Sequence, residues 1–317
     1  MSAELHQSFT FVSMDLAAAR IAYDIIFDDS ANRQSQIESH SPGQSQSDLS
    51  RVIIHIGAFH TMCAYMGALG HMLAGSGFEE VLIEADICAS GSIEKVLSGK
   101  HFNHAVRVHQ RMLEADEQLL WEDFAQTQLQ GCNEDTRQTL SNLASNPNAP
   151  SYAEAVASPE VIDLLNDFHQ FRINAASGKM GLTAKLWTNY CDSVCTLLRF
   201  QRAVKKNDLD LFISSLRDMP PLLFAADRQN YARYLSLYYS QLLNLQHSCP
   251  EAVDLLRCGG LSVARSTNPG CRIATDITIE QTGHRAAKMQ GGVIGITRRP
   301  SAYLPMVSDQ KQESRIP

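Results

Sequence analysis

The chain has 317 residues, of which 44% are hydrophobic and 19% charged, and its formal net charge is −7. This length allows one large domain or two ordinary ones, and the composition excludes an intrinsically disordered protein. The negative net charge excludes a strongly basic protein that binds nucleic acid by charge alone, so contact with nucleic acid would require a local basic patch.

The cysteines and the N-terminus indicate the compartment. The eight cysteines are scattered without a C-x-x-C pair, and Cys191 and Cys195 lack the further ligands of a zinc site. The first residues lack the basic and apolar regions of a secretory signal, and no run of ~18 apolar residues predicts a membrane span. We therefore expect reduced thiols and a protein of the nucleus or cytoplasm that is not secreted and has no membrane partner.

The N-terminal part of the chain predicts a strand, a helix and a second strand. Residues 8–14 are apolar and partly alternating, residues 16–27 are alanine-rich and then apolar, and residues 51–57 are β-branched. Residues 28–50 are rich in Ser, Gln, Asp and Asn and predict a flexible loop. This order indicates a parallel pair of strands with a right-handed crossover.

The middle of the chain predicts helices, and the end predicts strands again. Residues 261–265 and 293–297 indicate short strands, and residues 271–288 indicate a helix that contains Glu280. A long helical block inside a strand–helix framework implies that the two ends of the chain meet in space. The predicted helices of the block span residues 61–73, 78–87, 93–97, 103–124, 159–176, 183–206, 208–217 and 221–246.

Glu280 is the first candidate for chemistry. At about 100° per residue it shares a stripe with Ile273, Ile277 and His284. A carboxylate buried on such a stripe needs a cation, a metal or hydrogen-bond donors. The alternative is a partly exposed helix on which Glu280 pairs with His284 or Arg285 at the surface.

Asp15 is the second candidate, because it directly follows the first predicted strand. Ligands gather at that edge of open α/β sheets, and an aspartate there can bind a divalent cation. The alternative role is the N-cap of the following helix, which aspartate suits equally well. If the chain ends meet, Asp15 and Glu280 lie in one neighbourhood.

The histidines and the common motifs give little support to other chemistry. The sequence has no P-loop, dinucleotide-binding, α/β-hydrolase or H-E-x-x-H motif. The histidines at 55, 60 and 71 have no local carboxylate, and we expect hydrogen-bonded groups near the core rather than zinc ligands. A second loose group lies on a helix rim and is expected to be solvated: His101, His104 and His109.

Residues 224–239 interleave aromatic and basic side chains. Arg228 and Arg233, with the neighbouring tyrosines, could grip a phosphate backbone or stack bases. Alternatively, the tyrosines form the packed stripe of a core helix, which we favour. The tyrosines concerned are Tyr231, Tyr234 and Tyr238.

Several segments of the chain, taken together and in order, resemble segments of a known protein family. They include TFVSMD at 10–15, IHIGAFHTM at 54–62, DRQNYARYL at 227–235, DITIEQT at 276–282 and GGVIGITR at 291–298. The chain resembles, over nearly its whole length, a family of uncharacterised, transposon-borne animal proteins, which in turn looks like DDE-type transposases with a ribonuclease-H-like core. The remaining segments that carry it are residues 67–77, 97–100 and 259–266.

The resemblance implies a fold and a domain organisation. The fold is α/β but mostly helical, with a partial ribonuclease-H-like sheet of few strands that a large all-α insertion interrupts. The first part of the core covers residues 1–58, the insertion 59–258, the last part of the core 259–300, and a tail 301–317.

The resemblance also implies a site. Asp15 and Glu280 would be catalytic acids that hold Mg²⁺ for two-metal phosphoryl transfer, and Arg285 and Lys288 would face DNA phosphate. The first acid of such a site should lie upstream of Asp15, where only fourteen residues are present. We therefore expect the C-terminal part of a longer protein, weakly active or inactive as this chain.

These observations predict a transposase-derived remnant of a DNA strand cleavage and transfer core, with DNA as its partner. The basic residues expected to contact DNA are Arg228, Arg233, Arg285 and Lys288. The alternative is a non-catalytic helical interaction module that binds protein partners or further copies of itself. A third hypothesis is a metal-dependent hydrolase that acts on a small phosphorylated substrate.

Overall fold

The computed structural model describes residues 8–39, 49–128, 134–145 and 152–285. These residues are mostly helical, with two small two-stranded sheets, which confirms the predicted mostly helical chain with few strands. In the part of the chain that is described, no helix is both long and apolar enough to cross a membrane. The predicted strand at 293–297, Lys288 and the tail lie outside the described residues.

The N-terminal strands pair as predicted. β1 (Thr10–Met14) runs parallel to β2 (Val52–Ile56), with Thr10 opposite Val52 and Met14 opposite Ile56. Helix α1 (Leu16–Ser39) lies between them in the chain. The predicted loop at 28–50 is wrong in its first part, because residues 28–39 are polar but contain no glycine or proline to end the helix.

The other helices follow in order. Their bounds are α2 Ala58–Met72, α3 Phe78–Glu84, α4 Ser90–Leu97, α5 Phe102–Gln128, α6 Glu134–Ser145, α7 Tyr152–Val156, α8 Pro159–Ser177, α9 Leu182–Lys206, α10 Leu209–Asp218, α11 Pro220–Ala225, α12 Gln229–Ser248 and α13 Pro250–Leu255. The helix predicted at 221–246 is therefore two helices, which Asp227 separates with a left-handed backbone (φ 56°).

The segment predicted as one helix at 271–288 is divided. Its first residues form β4 (Arg272–Ala274), which pairs antiparallel with β3 (Ser262–Ala264). Helix α14 (Thr275–Ile279) follows and continues into a π-helical turn (Glu280–His284). Glu280 therefore lies on a helical turn, but Ile273 belongs to a strand and does not share its stripe.

The chain forms two compact units. One, the split unit, consists of Met1–Ala64 and Arg199–Pro317, and the other, the inserted unit, is Tyr65–Leu198. The ends of the chain thus belong to one unit, as the long helical block implied. Residues 199–258, which the resemblance assigned to the insertion, belong with the chain ends rather than with the inserted unit.

The core of the split unit is built on β2 and α12. Ile54 and Ile56 are buried, and His55 is buried with its Nδ1 hydrogen-bonded to the hydroxyl of Tyr238. Tyr234 is also buried, so these tyrosines form a core stripe, as favoured from the sequence. The burial of Tyr234 and Tyr238 leaves neither ring available to stack on bases.

The core of the inserted unit contains an unexpected histidine. His109 is fully buried on α5, and its ring stacks on Phe78 beside Tyr190. The expectation that His109 is solvated is wrong, because Ala105 and Met112, four residues before it and three after, place it on the apolar face of the helix.

Candidate functional site

A cleft of about 240 Å³ lies at the carboxyl end of the two parallel strands, and we call it the carboxyl-end cleft. Parallel strands bring the residues that follow them to one edge of the sheet. Asp15 directly follows β1, and His60 lies in the first turn of α2, just after β2. The lining residues are Ser13, Met14, Asp15, Ala18, His60, Asp276, Ile279 and Glu280.

Asp276 anchors the site. Its side chain is only 5% exposed, and its carboxylate accepts hydrogen bonds from the backbone amides of Phe59 (3.2 Å) and His60 (3.0 Å). These amides belong to the first turn of α2, where no carbonyl of the helix itself is available to them. Asp276 therefore caps α2 from a distant part of the chain, and the positive end of the helix stabilises its charge.

Gly57 makes room for this carboxylate. A Cβ at position 57 would lie 2.3 Å from Oδ2 of Asp276, far closer than two such atoms approach. The absence of a side chain at the junction of β2 and α2 therefore permits Asp276 to reach the helix terminus.

His60 connects the two acids of α14 and its π-helical extension. Its Nδ1 lies 3.0 Å from Oδ2 of Asp276, and its Nε2 lies 3.1 Å from Oε1 of Glu280. The hydrogen bond that the His60 ring donates to Asp276 raises the pKa of His60, burial opposes this rise, and the charges of Asp276, Glu280 and Asp15 add to it. A protonated imidazole donates one hydrogen bond to each carboxylate, so this arrangement favours the imidazolium.

The ionisation of Asp276 follows from the same contacts. Burial acts to raise the pKa of Asp276, but hydrogen bonds from the His60 side chain and from the amides of His60 and Phe59 outweigh it. The pKa of Asp276 is therefore lower than that of an ordinary aspartate, and the group is a carboxylate at neutral pH.

The two acids predicted from the sequence both line this cleft, but with other partners than expected. Asp15 is exposed, and its Oδ1 accepts a hydrogen bond from the amide of Ala18 (2.8 Å), so it caps α1. Glu280 is 44% exposed and pairs with His60 rather than with Arg285. The side chain of His284 lies outside the described residues.

The carboxylates do not fit a divalent cation as they are arranged. Among the described residues, no group of three or more histidine, cysteine, aspartate or glutamate side chains could hold a metal ion. Asp276 and Glu280 are directed to His60, and one oxygen of Asp15 accepts from an amide. Both oxygens of Asp276, Oε1 of Glu280 and Oδ1 of Asp15 already face N–H donors, so the carboxylates present no ready set of Mg²⁺ ligands and we derive no step through a metal.

Two neighbouring side chains do not supply a nucleophile. Burial, and then the charges of Asp276 and Glu280, raise the pKa of Cys63 to about 12, so its thiol stays protonated at neutral pH. The hydroxyl of Ser13 is 2.9 Å from that of Thr275, and this bond joins β1 to α14.

Asp276 and His60 were not predicted as site residues. Asp276 lies four residues before Glu280, so on a helical turn both face the same side, and this spacing was a signal in the sequence. Gly57 directly after a buried strand was a second signal of close approach. The contacts with the α2 amides have no sequence signature, because any residue except proline supplies a backbone N–H.

The predicted DNA-binding residues of α12 are exposed. Arg228 precedes the first turn of the helix, and Arg233 follows on its outer side. Tyr231 is half-buried and lines a further hollow together with Asp15 and His60. Of the three tyrosines considered for base stacking as the less favoured alternative, Tyr234 and Tyr238 are buried in the core and only Tyr231 is partly accessible.

One protein family matches almost the whole chain. The family described as "Domain of unknown function (DUF8702)" matches residues 4–313. The chain belongs to the DUF8702 family. No curated protein and no solved structure gives a significant match. The DUF8702 match includes every element of the carboxyl-end cleft, and because its description names no activity, function has to be argued from the site itself.

Proposed function

We propose that this DUF8702 chain is a transposase-derived nucleic-acid-binding protein whose carboxyl-end cleft is the remnant of a phosphoryl-transfer site. The observation that carries the proposal is that Asp15 and Glu280, from opposite ends of the chain, line one cleft at the edge of a parallel strand pair. Acidic groups brought together at this edge are the arrangement on which phosphoryl transfer with divalent metals depends.

The contacts within the same cleft are also the reason to expect weak or absent cleavage activity. His60 lies between Asp276 and Glu280, and its ring nitrogens face carboxylate oxygens that a metal would otherwise bind. An imidazolium cannot polarise a phosphoryl oxygen and activate a water as two metal ions do. Cleavage of DNA by this chain should therefore be slight.

Binding to DNA would use the basic residues of the split unit. Arg228, Arg233 and Arg285 are all exposed, although the protein as a whole is acidic. Phosphate contacts made by a few arginines give modest affinity that falls as the salt concentration rises, because releasing counterions into a more concentrated solution is less favourable. Salt dependence is thus the property that distinguishes this proposal from a protein-binding module.

A binding experiment tests the proposal. Fluorescence anisotropy of labelled duplex and single-stranded DNA would be measured over a range of salt concentrations, with Arg285→Gln as the variant and Arg202→Gln, an exposed arginine elsewhere on the split unit, as the matched control. We expect affinity that decreases with salt and a slope reduced by about 0.9 for duplex in Arg285→Gln alone. Absence of salt-dependent binding to either DNA would refute the proposal.

Cleavage is tested separately with Mg²⁺ and Mn²⁺. The chain and its Glu280→Ala variant should both give only background cleavage of DNA. Robust metal-dependent cleavage that Glu280→Ala abolishes would show that the site is active and not a remnant.

A second candidate function is a non-catalytic helical interaction module. Helix α1 favours it, because Ile21, Ile25 and Phe27 are each more than half exposed, at 57%, 53% and 52%. Large apolar side chains grouped on one exposed helix indicate a contact surface. Ile21→Asp with Ile25→Asp should then abolish self-association in analytical ultracentrifugation, and a wild-type chain that is monomeric at every concentration would argue against self-association through α1.

A further inference from the structure

A second cleft in the split unit is formed by α10, α11 and α12 and has a volume of about 590 Å³. Its lining combines two arginines, two aromatic rings and a pair of prolines, and shares no residue with the carboxyl-end cleft. We call it the aromatic–arginine cleft, after Arg217, Phe224, Arg233 and Tyr239.

Phe224 presents an unusually exposed ring. Its side chain is 68% exposed, whereas the preceding Leu223 is completely buried. The short helix α11 begins with two prolines and ends before the left-handed Asp227, so Phe224 is held on a constrained segment. An aromatic ring that is held in water on such a segment can stack on a partner with little loss of conformational entropy.

The charges around this ring favour an anion. Arg217 is 62% exposed and pairs with Asp218 (3.0 Å), but Asp218 also pairs with Arg199 (2.6 Å). One carboxylate between two guanidinium groups leaves a net positive charge. Arg233 is exposed and has no acidic partner among the residues described in the structure.

We infer that the aromatic–arginine cleft binds single-stranded nucleic acid, with an unpaired base on Phe224 and the adjoining phosphates on Arg217 and Arg233. The inference rests on the proposed nucleic-acid-binding function and adds the form of the strand. Aromatic stacking with flanking cations is the general means of binding single strands. Bases inside a duplex are stacked on one another and cannot reach the ring.

The test compares single-stranded and duplex DNA. The probes are a labelled oligothymidine of about 12 nucleotides, a length within the usual site size, and a duplex of similar length. The variants are Phe224→Ala, which removes the ring, and Arg233→Gln, which removes one charge. Arg202→Gln is the matched control for an exposed arginine. Because Phe224 is exposed, its replacement should leave the thermal unfolding midpoint unchanged.

The expected result is specific to the single strand. Phe224→Ala should weaken oligothymidine binding roughly tenfold, since stacking on an aromatic side chain contributes about that much per base, and should leave duplex binding unchanged. Arg233→Gln should lower the salt slope for oligothymidine by about 0.7. Arg202→Gln should behave as the wild type.

The experiment distinguishes failure of this inference from failure of the proposed function. If DNA binds with salt dependence but Phe224→Ala and Arg233→Gln bind oligothymidine as tightly as the wild type, this inference is wrong and the proposed function stands. Equal weakening of duplex and single strand by Phe224→Ala also overturns it. If neither DNA binds, both the inference and the proposed function fail.

Discussion

Acidification should destabilise the inserted unit through His109. The side chain is fully buried, its Nδ1 lies 2.9 Å from the hydroxyl of Tyr190, and its Nε2 has no hydrogen-bond partner among the described residues. Burial lowers the pKa of His109 from 6.5 to about 4. The folded unit therefore excludes the imidazolium, whereas the unfolded chain accepts it freely.

The sign and size of the stability change with pH follow from proton linkage. The contribution of His109 is fully present above about pH 6.5 and is lost as the pH falls toward 4, because the unfolded state binds the additional proton. From pH 7 to pH 5 this loss is about 2 kcal/mol, at about 1.4 kcal/mol per pH unit. That is a large part of a domain stability of about 5–15 kcal/mol.

Tryptophan fluorescence provides a local assay. Trp121 and Trp187 are the two tryptophans of the chain, and both belong to the inserted unit. Urea unfolding would be followed at pH 7, 6 and 5 for the wild type and for His109→Phe, which keeps an aromatic ring but cannot be protonated. His169→Gln, at an exposed position of the same unit, is the matched control.

The comparison between variants is needed because Asp116 acts in the opposite direction. Burial raises the pKa of Asp116 to about 6, so its protonation stabilises the folded unit as the pH falls. All three proteins share Asp116, and the difference in pH slope isolates His109. If His109→Phe and the wild type lose the same stability between pH 7 and pH 5, the assignment to His109 is wrong.

Two further predictions concern the carboxyl-end cleft. Gly57→Ala should destabilise the split unit by about 1–3 kcal/mol, because the new methyl group overlaps the Asp276 carboxylate. The control Gly91→Ala adds a methyl group that meets open space and should cause no such loss. Equal thermal unfolding midpoints of Gly57→Ala and the wild type in circular dichroism would contradict the prediction. His60→Ala should increase the affinity for Mn²⁺, because it leaves Asp276 and Glu280 without their shared partner. Mn²⁺ binding followed by electron paramagnetic resonance checks this, and unchanged or weaker binding would contradict it.

The sequence predicted the framework of the site better than its interactions. The strand that ends just before Asp15 and the helical turn at Glu280 followed from local apolar patterns, and the order of elements implied that the chain ends meet. The pattern left two roles for Asp15, and a single residue cannot decide between them. The hydrogen bond to Ala18 identifies the N-cap, while the cleft keeps Asp15 beside His60.

The errors have physical causes of two kinds. Residues 28–39 were predicted as loop from the polar composition of residues 28–50 and from Pro42-Gly43, but a helix tolerates polar residues up to the point where glycine or proline interrupts it. Asp276 was overlooked because its donors are backbone amides, which every residue except proline carries. His109 shows the converse, since a polar side chain on an apolar helix face can be buried when a tyrosine from another helix bonds it.

The capping of α2 by Asp276 has a consequence for how the chain folds. The amide of His60 and the carboxylate that accepts from it are 216 residues apart. Contacts of such long sequence separation form late, because the intervening chain must first be ordered. On the ribosome, the inserted unit emerges in full before residue 276, and the split unit cannot close until that residue has been synthesised. The first turn of α2 therefore lacks its carboxylate acceptor during the synthesis of the 216 residues that separate His60 from Asp276.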